Sequence, residues 1–264
     1  MADEAGIAEA GAEHSDERQQ ISIWEYLESL LVTIILALFG TSFVVQSFKI
    51  PSQSMVPTLL VGDHLLVNKF IFGGSGAWYE KFMPYRAVRH GDVIVFKYPF
   101  DDHPYYVKRV IGIPGDHVKI MDQEVYVNGQ RLSEPYVIHD PDSRYDPFGD
   151  SFPPTTPRFF QSAAIRPEWA AEILSHVSDG DLIVPPDKYF VMGDNRDESS
   201  DSRYWGFVSR KAIMGGPLMI YWSVETPDEE LEGEGLREWL HDTGQTLRHL
   251  PSRTRWRRMF HQVR

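Results

Sequence analysis

From Ser29 to Phe48 the chain carries no charged side chain, and Leu, Ile, Val and Phe dominate. A run of about 20 apolar residues is long enough to cross the hydrocarbon core of a bilayer as a helix. A cleavable signal peptide is the competing reading, with Gly40-Thr41-Ser42 as its small-x-small site. The region ahead of the run is long and acidic, and Arg18 is its only Lys or Arg, whereas a signal peptide begins with a basic segment. The sequence therefore predicts a retained transmembrane helix over 29–48, preceded by an acidic mobile tail over 1–28. Charge alone does not set the orientation, because the N-terminal flank lacks the basic residues that stay cytoplasmic.

The next stretch, Ile50-Pro51-Ser52-Gln53-Ser54-Met55-Val56-Pro57-Thr58-Leu59-Leu60, sets three hydroxyls against two prolines, Ser52 and Ser54 between them and Thr58 just after the second. Each proline fixes its own φ and pushes the residue before it into an extended conformation. The expected structure is a stiff loop that can hold one hydroxyl in a set direction. A membrane-proximal linker with ordinary serines is the plain alternative.

Beyond the loop, short β-branched and aromatic runs follow in quick succession: His64–Phe70, Asp92–Tyr98, Tyr105–Ile111 and His117–Met121. Asn128-Gly129 between Val125–Val127 and Gln130–Leu132 is the preferred two-residue hairpin turn. This density predicts a mostly β domain over 49–225, built from coiled antiparallel sheets. Residues 135–186, rich in prolines and acids, read as an insertion with one helical stretch near Glu168–Val177. Over 226–264 an acidic helix gives way to a basic, aromatic tail that either is solvated or lies on an anionic membrane.

Composition narrows the function. A net charge of −12 argues against a nucleic-acid partner. With no cysteine in the chain there is no disulfide, no Cys-ligated zinc and no thiol nucleophile. The same absence leaves the redox compartment open. No His-Glu-x-x-His occurs, and the ten histidines are scattered, which disfavours a metal site. A serine nucleophile needs a base. In the Tyr105–Gly112 strand, Lys108 shares a face with Tyr106 and Val110 by two-residue alternation. If that face is inward, burial lowers the lysine pKa and the neutral amine can accept a proton. If it is outward, Lys108 is a surface lysine beside Arg109.

Three blocks, taken in order, decide between these readings. They are Pro51-Ser52-Gln53-Ser54-Met55, then Tyr105–Gly112 with Pro114-Gly115-Asp116, then Gly193-Asp194-Asn195-Arg196-Asp197-Glu198-Ser199-Ser200-Asp201-Ser202-Arg203 ending in Trp205-Gly206. Together, after an apolar segment, they resemble the motif set of the bacterial type I signal peptidases, the membrane-anchored Ser-Lys endopeptidases of peptidase family S26. The resemblance runs from about Phe48 to about Trp222. It implies that Ser54 is the nucleophile and Lys108 the general base. It also implies that Ser52 and the Ser54 backbone N–H form the oxyanion hole, that Ser199 orients the lysine, and that Asp201 and Arg203 support the site. Ile50, Met55, Leu59, Tyr106 and Val107 are candidates for the substrate pockets. The implied substrates are the signal peptides of exported preproteins, cut after small-x-small sites without metal or other cofactor. The implied setting is a single-pass protein of the bacterial inner membrane with its catalytic domain outside the cytoplasm. The tail is placed inside on the resemblance alone. A self-cleaving repressor-type protease shares the chemistry, but the span and the lack of a DNA-binding segment count against it. A non-catalytic membrane-anchored β scaffold or adhesin is the rival from outside enzymology.

Overall fold

The computed structural model describes residues 23–40, 45–72, 85–98, 100, 105–143, 146, 148–154, 164–225 and 252–263. Residues 1–22 of the expected N-terminal tail, the Gly73-Gly74-Ser75-Gly76 run, whose glycines predict a loop, and the expected acidic helix near 226–245 lie outside them. The chain divides into two compact units, Met1–Gly40 and Thr41–Arg264.

In the first unit helix α1 spans Ile23–Phe39. Its Leu30, Leu31, Ile35, Leu36 and Leu38 side chains are exposed. Among the described residues, no helix is long and apolar enough to cross a membrane. The helix expected over 29–48 begins earlier, taking in Glu25 and Glu28, and its far end is replaced by strand β1, Val45–Lys49. The reason is visible in the residues. From Gln46 to Lys49 exposure alternates, with Gln46 and Phe48 half-buried and Ser47 and Lys49 exposed, and residues 45–48 pair residue for residue with Asn68 to Leu65 of β2, Asp63–Asn68.

The second unit is mostly β, and among the described residues its strands pair antiparallel. Its larger sheet also contains β3 (Val93–Lys97), β4 (Tyr105–Gly112), β10 (Lys188–Met192), β11 (Val208–Ser209) and β12 (Ile213–Ser223). The strand order is β1-β2-β12-β3-β4-β10-β11, with β13 (His261–Gln262) added to β12. Register shifts along β12, at Ile213/Gly215, Pro217/Met219 and Ile220/Trp222, curl this sheet. β12 thereby reaches β3 with its first residues and β2 with its last. The smaller sheet is β7-β6-β5-β9-β8: Gln130–Arg131, Glu124–Val127, His117–Met121, Asp181–Ile183 and Val177–Ser178. Its Asn-Gly turn forms as expected, with Asn128 at φ 52° and Gly129 at φ 76°.

The stretch 135–186 is more integral than a surface insertion. It supplies β8, β9 and helix α2 (Pro167–Glu172), and it buries Phe148, Phe152, Trp169, Ile173 and Leu182 in one core cluster with Ile111 and Phe190. Its aromatic and branched residues explain this, since such side chains gain most from leaving water. The C-terminal segment also departs from a free tail. Residues 252–263 fold back on the sheet, where β13 sets Gln262 opposite Met219 and His261 opposite Ile220.

Candidate active site

The Ser54 loop is closed at its neck. Ile50 N–H donates to Asp63 O at 2.9 Å, and Gly62 N–H donates to Ile50 O at 3.0 Å. Inside it, Leu59 N–H donates to Met55 O at 2.8 Å, a single helical turn that directs Met55 and Leu59 into the core below. The Ser54 carbonyl accepts from Asn195 N–H at 3.1 Å, tying the loop tip to the downstream block. Ser54 is left 7% exposed.

Lys108 sits opposite Ile94 in the β3–β4 ladder and is 2% exposed. The neighbours on its face, Tyr106 and Val110, belong to an apolar cluster with Ile94 and Phe96, so the face is inward. Its Nζ donates to Ser54 Oγ at 2.5 Å. Burial pushes the lysine pKa from 10.5 down to about 8; Asp201 raises it, Arg203 lowers it, and Asp194 raises it, with burial prevailing. Ser52 Oγ stands 3.4 Å from Ser54 Oγ, on the exposed side of the loop.

Asp201 is wholly buried and caps helix α3, Ser202–Trp205. Its carboxylate accepts from Arg203 Nε and Nη2, both at 2.9 Å, from Ser199 Oγ at 2.8 Å and from Gly193 N–H at 3.1 Å. Burial pushes its pKa up, but the charge and hydrogen bonds of Arg203, aided by Lys108 and Ser199, outweigh this and hold it below the ordinary carboxylate value. Ser199 therefore gives its proton to Asp201, and among the described residues the hydrogen bond of Lys108 runs to Ser54 and not to Ser199. A carboxylate is the stronger acceptor for that hydroxyl. Gly193 fits between these groups because it has no Cβ: one placed there would overlap Ser199 Oγ and the Ser54 carbonyl.

A second buried cluster was not singled out from sequence. Arg109 Nε and Nη2 donate to both Asp194 oxygens, at 2.8 and 2.7 Å, and Thr58 Oγ1 donates to Asp194 Oδ2 at 2.6 Å. The Arg109 guanidinium also lies 3.8 Å from the centre of the Tyr136 ring. Arg196 pairs with Glu134 and donates to Gly193 O at 3.2 Å. Thr58 links this cluster to the Ser54 loop. In the sequence Asp194 lies in a Gly-Asp-Asn run, which suits a tight turn and by itself points to no ion pair. The available signal was that Arg109 follows Lys108 on a strand whose opposite face is also buried.

A cleft of about 260 Å³ opens beside Ser54, lined by Phe48, Ile50, Met55, Tyr105, Tyr106 and Val107 together with Ser52. Of the residues expected to form pockets, Leu59 is the exception. It is fully buried in the core and absent from the cleft wall, because the Met55–Leu59 turn points it inward. Phe48 and Tyr105, in edge-to-face contact at 5.1 Å, take its place. Two larger cavities, of about 640 and 490 Å³, are lined by neither Ser54 nor Lys108. Among the described residues no group of His, Asp or Glu could hold a metal ion.

A serine hydroxyl bonded to a buried lysine, beside an apolar cleft, is the geometry of an activated nucleophile. The family described as "Signal peptidase, peptidase S26" matches residues 23–222. The chain belongs to the signal peptidase family S26. A "Signal peptidase I" of Pseudomonas fluorescens is 35% identical over 238 residues, covering 88% of this chain and 77% of that protein. The "Signal peptidase I" of Pseudomonas aeruginosa is 34% identical over 235 residues, with the same coverage of 88% and 77%. A crystal structure of a signal peptidase I from Enterococcus faecalis is 30% identical, covers 50% of this chain and 97% of its own, and has a TM-score of 0.35. The S26 match takes in both the Ser54 loop and the 193–203 block.

Proposed function

We propose that this S26 enzyme is a signal peptidase I that cuts the signal peptides of exported preproteins with Ser54 as nucleophile and Lys108 as general base. The observation that carries the reading is the 2.5 Å hydrogen bond between a buried lysine and a serine at the cleft. Neutral Lys108 takes the Ser54 proton as Oγ attacks the scissile carbonyl. The tetrahedral oxyanion is held by the Ser54 backbone N–H and the Ser52 hydroxyl, donors of the kind worth ~3–4 kcal/mol each in the transition state. Collapse breaks the C–N bond, and Lys108 returns the proton to the leaving amine. Water, deprotonated by the same lysine, then releases the acyl group. Asp201 and Arg203 hold the supporting turn. Ser199, its proton committed to Asp201, has lone pairs that can accept from Lys108 when it becomes an ammonium.

Substrate enters extended. β4 has β3 as its ladder neighbour from Tyr105, and β10 joins it on the other side only at Arg109. A peptide strand laid along Tyr105–Lys108 would reach Ser54 and send alternate side chains toward Phe48, Ile50, Met55 and Val107. The protein acts as a single-pass enzyme of the bacterial inner membrane, with the catalytic unit outside the cytoplasm. The uncharged 29–48 run and the exposed apolar side chains of α1 support this, since such a helix surface suits lipid.

An acylating active-site probe tests the reading. It should label the wild type at Ser54, leave Ser54→Ala unlabelled, and block release of the mature protein from a preprotein. Equal labelling of the two proteins would place the reactive group elsewhere and overturn Ser54 as the nucleophile, and no labelling of either with no release of mature protein would favour a β scaffold without activity.

A further inference from the structure

The mechanism uses nothing beyond Trp222, yet the segment 252–263 is built against the loop that carries Ser54. Asp63, at the neck of that loop, is wholly buried. Its carboxylate accepts from Leu60 N–H at 2.8 Å, Ser223 Oγ at 2.6 Å and Arg258 Nη2 at 2.6 Å, with Arg258 Nε at 3.3 Å. The same Nη2 donates to Thr58 O at 3.0 Å, and Arg255 Nη1 donates to Val61 O at 2.9 Å. The segment is itself pinned, with Phe260 N–H on Ile220 O at 2.7 Å and Arg255 N–H on Ser223 O at 2.9 Å.

The Ser54 loop is thus gripped from two sides. Asn195 N–H holds the Ser54 carbonyl and Asp194 the Thr58 hydroxyl on one side. Arg255 and Arg258 hold the Thr58 and Val61 carbonyls and the Asp63 carboxylate on the other. A one-turn loop with two prolines has few contacts of its own to fix its tip. A nucleophile displaced by about 1 Å can lose on the order of 10²-fold in rate.

We infer that Arg258, with Asp63 and assisted by Arg255, is a positioning residue for the reaction: the C-terminal segment is a clamp that sets the Ser54 loop against Lys108. This rests on Ser54 being the nucleophile. Arginine suits the role because Nε and Nη2 meet the two Asp63 oxygens side by side while the second hydrogen of Nη2 is left for Thr58 O, a planar pattern that an ammonium does not reproduce.

The test uses the full-length chain in detergent, with active sites titrated by the acylating probe so that rates are expressed per competent site. Arg258→Ala and Arg258→Lys should each lower kcat per titrated site about tenfold or more. KM should stay within about twofold, and the acid limb of the pH–rate profile should stay in place. Asp63→Asn should behave alike. Arg257→Ala, at an exposed neighbouring position, should match wild type. A fastening that only stabilises the fold would lower Tm and the titratable fraction while leaving kcat per site intact, and that result overturns the inference. Should Arg258→Ala not fold, Arg258→Lys and Arg255→Ala carry the same reading. A wild type that is not labelled at Ser54 removes the nucleophile assignment, and the clamp with it. Labelling at Ser54 with an unaltered rate in the Arg258 variants removes the clamp alone.

Discussion

Replacing Lys108 with Met should abolish activity and stabilise the protein, and the two effects share one origin. The lysine titrates at about 8 in the fold against 10.5 ordinarily, because it is buried. At pH 7 about 10% of such a lysine is neutral, against about 0.03% of an ordinary one, so burial multiplies the competent base about 300-fold. The acid limb of kcat/KM should therefore fall with an apparent pKa of about 8, reaching about 1% of its plateau at pH 6. The stability side follows by linkage. Below pH 8 the folded and unfolded chains both carry the charge, and the fold bears the full penalty of burying it. Between pH 8 and 10.5 the unfolded chain holds a proton that the fold has released, so stability rises with pH. Above 10.5 both are neutral and the penalty is gone.

A shift of about 2.5 units corresponds to about 3 kcal/mol. Lys108→Met removes that penalty and loses the bond to Ser54, worth roughly 1 kcal/mol. The net gain at pH 7 is about 2 kcal/mol, or a rise in Tm of about 4–8 °C for a domain of this size. Calorimetry of wild type and variant at pH 7 and pH 10 is the assay. The variant's advantage should narrow at the higher pH. A variant less stable than wild type at pH 7, or an acid limb near pH 10, would refute the reasoning.

Ser52→Ala should lower kcat by roughly 10²–10³ with little change in KM, the pattern for a group acting mainly in the transition state, and steady-state kinetics on a preprotein would read it. Asp194→Asn should destabilise the fold by about 3–5 kcal/mol by leaving Arg109 buried without its counter-charge, and Arg109→Met in the same chain should recover part of that in urea titrations. In a peptide series built on Ala-x-Ala, Ala→Leu at either small position should abolish cleavage, because both side chains meet the walls formed by Phe48, Ile50, Met55 and Val107. The same change at the middle position should be mild, since that side chain points away.

What the sequence made legible and what it hid divide along one physical line. Short strands, the Asn128-Gly129 turn and the sharing of one strand face by Tyr106, Lys108 and Val110 depend on residues near one another in the chain, where a period of two and the φ preferences of Asn and Gly suffice. The pairing of Lys108 with Ser54 spans 54 residues. It was legible only because the motif blocks tie the two residues together. Where no such tie existed, long-range chemistry was missed. Asp194 is a plain turn residue until Arg109, 85 residues earlier, and Thr58, 136 residues earlier, are folded onto it. Arg255 and Arg258 read as a basic tail because four arginines interleaved with aromatics look alike from the chain, whether they face solvent, lipid or a buried carboxylate. The deciding residue was Asp63, a Gly-Asp turn in sequence, whose alternation along β2 with Leu65 and Val67 puts it inside. A carboxylate on the buried face of a strand must find a cation. That requirement could have been read from β2 alone, and it would have directed attention to the arginines that no motif claimed.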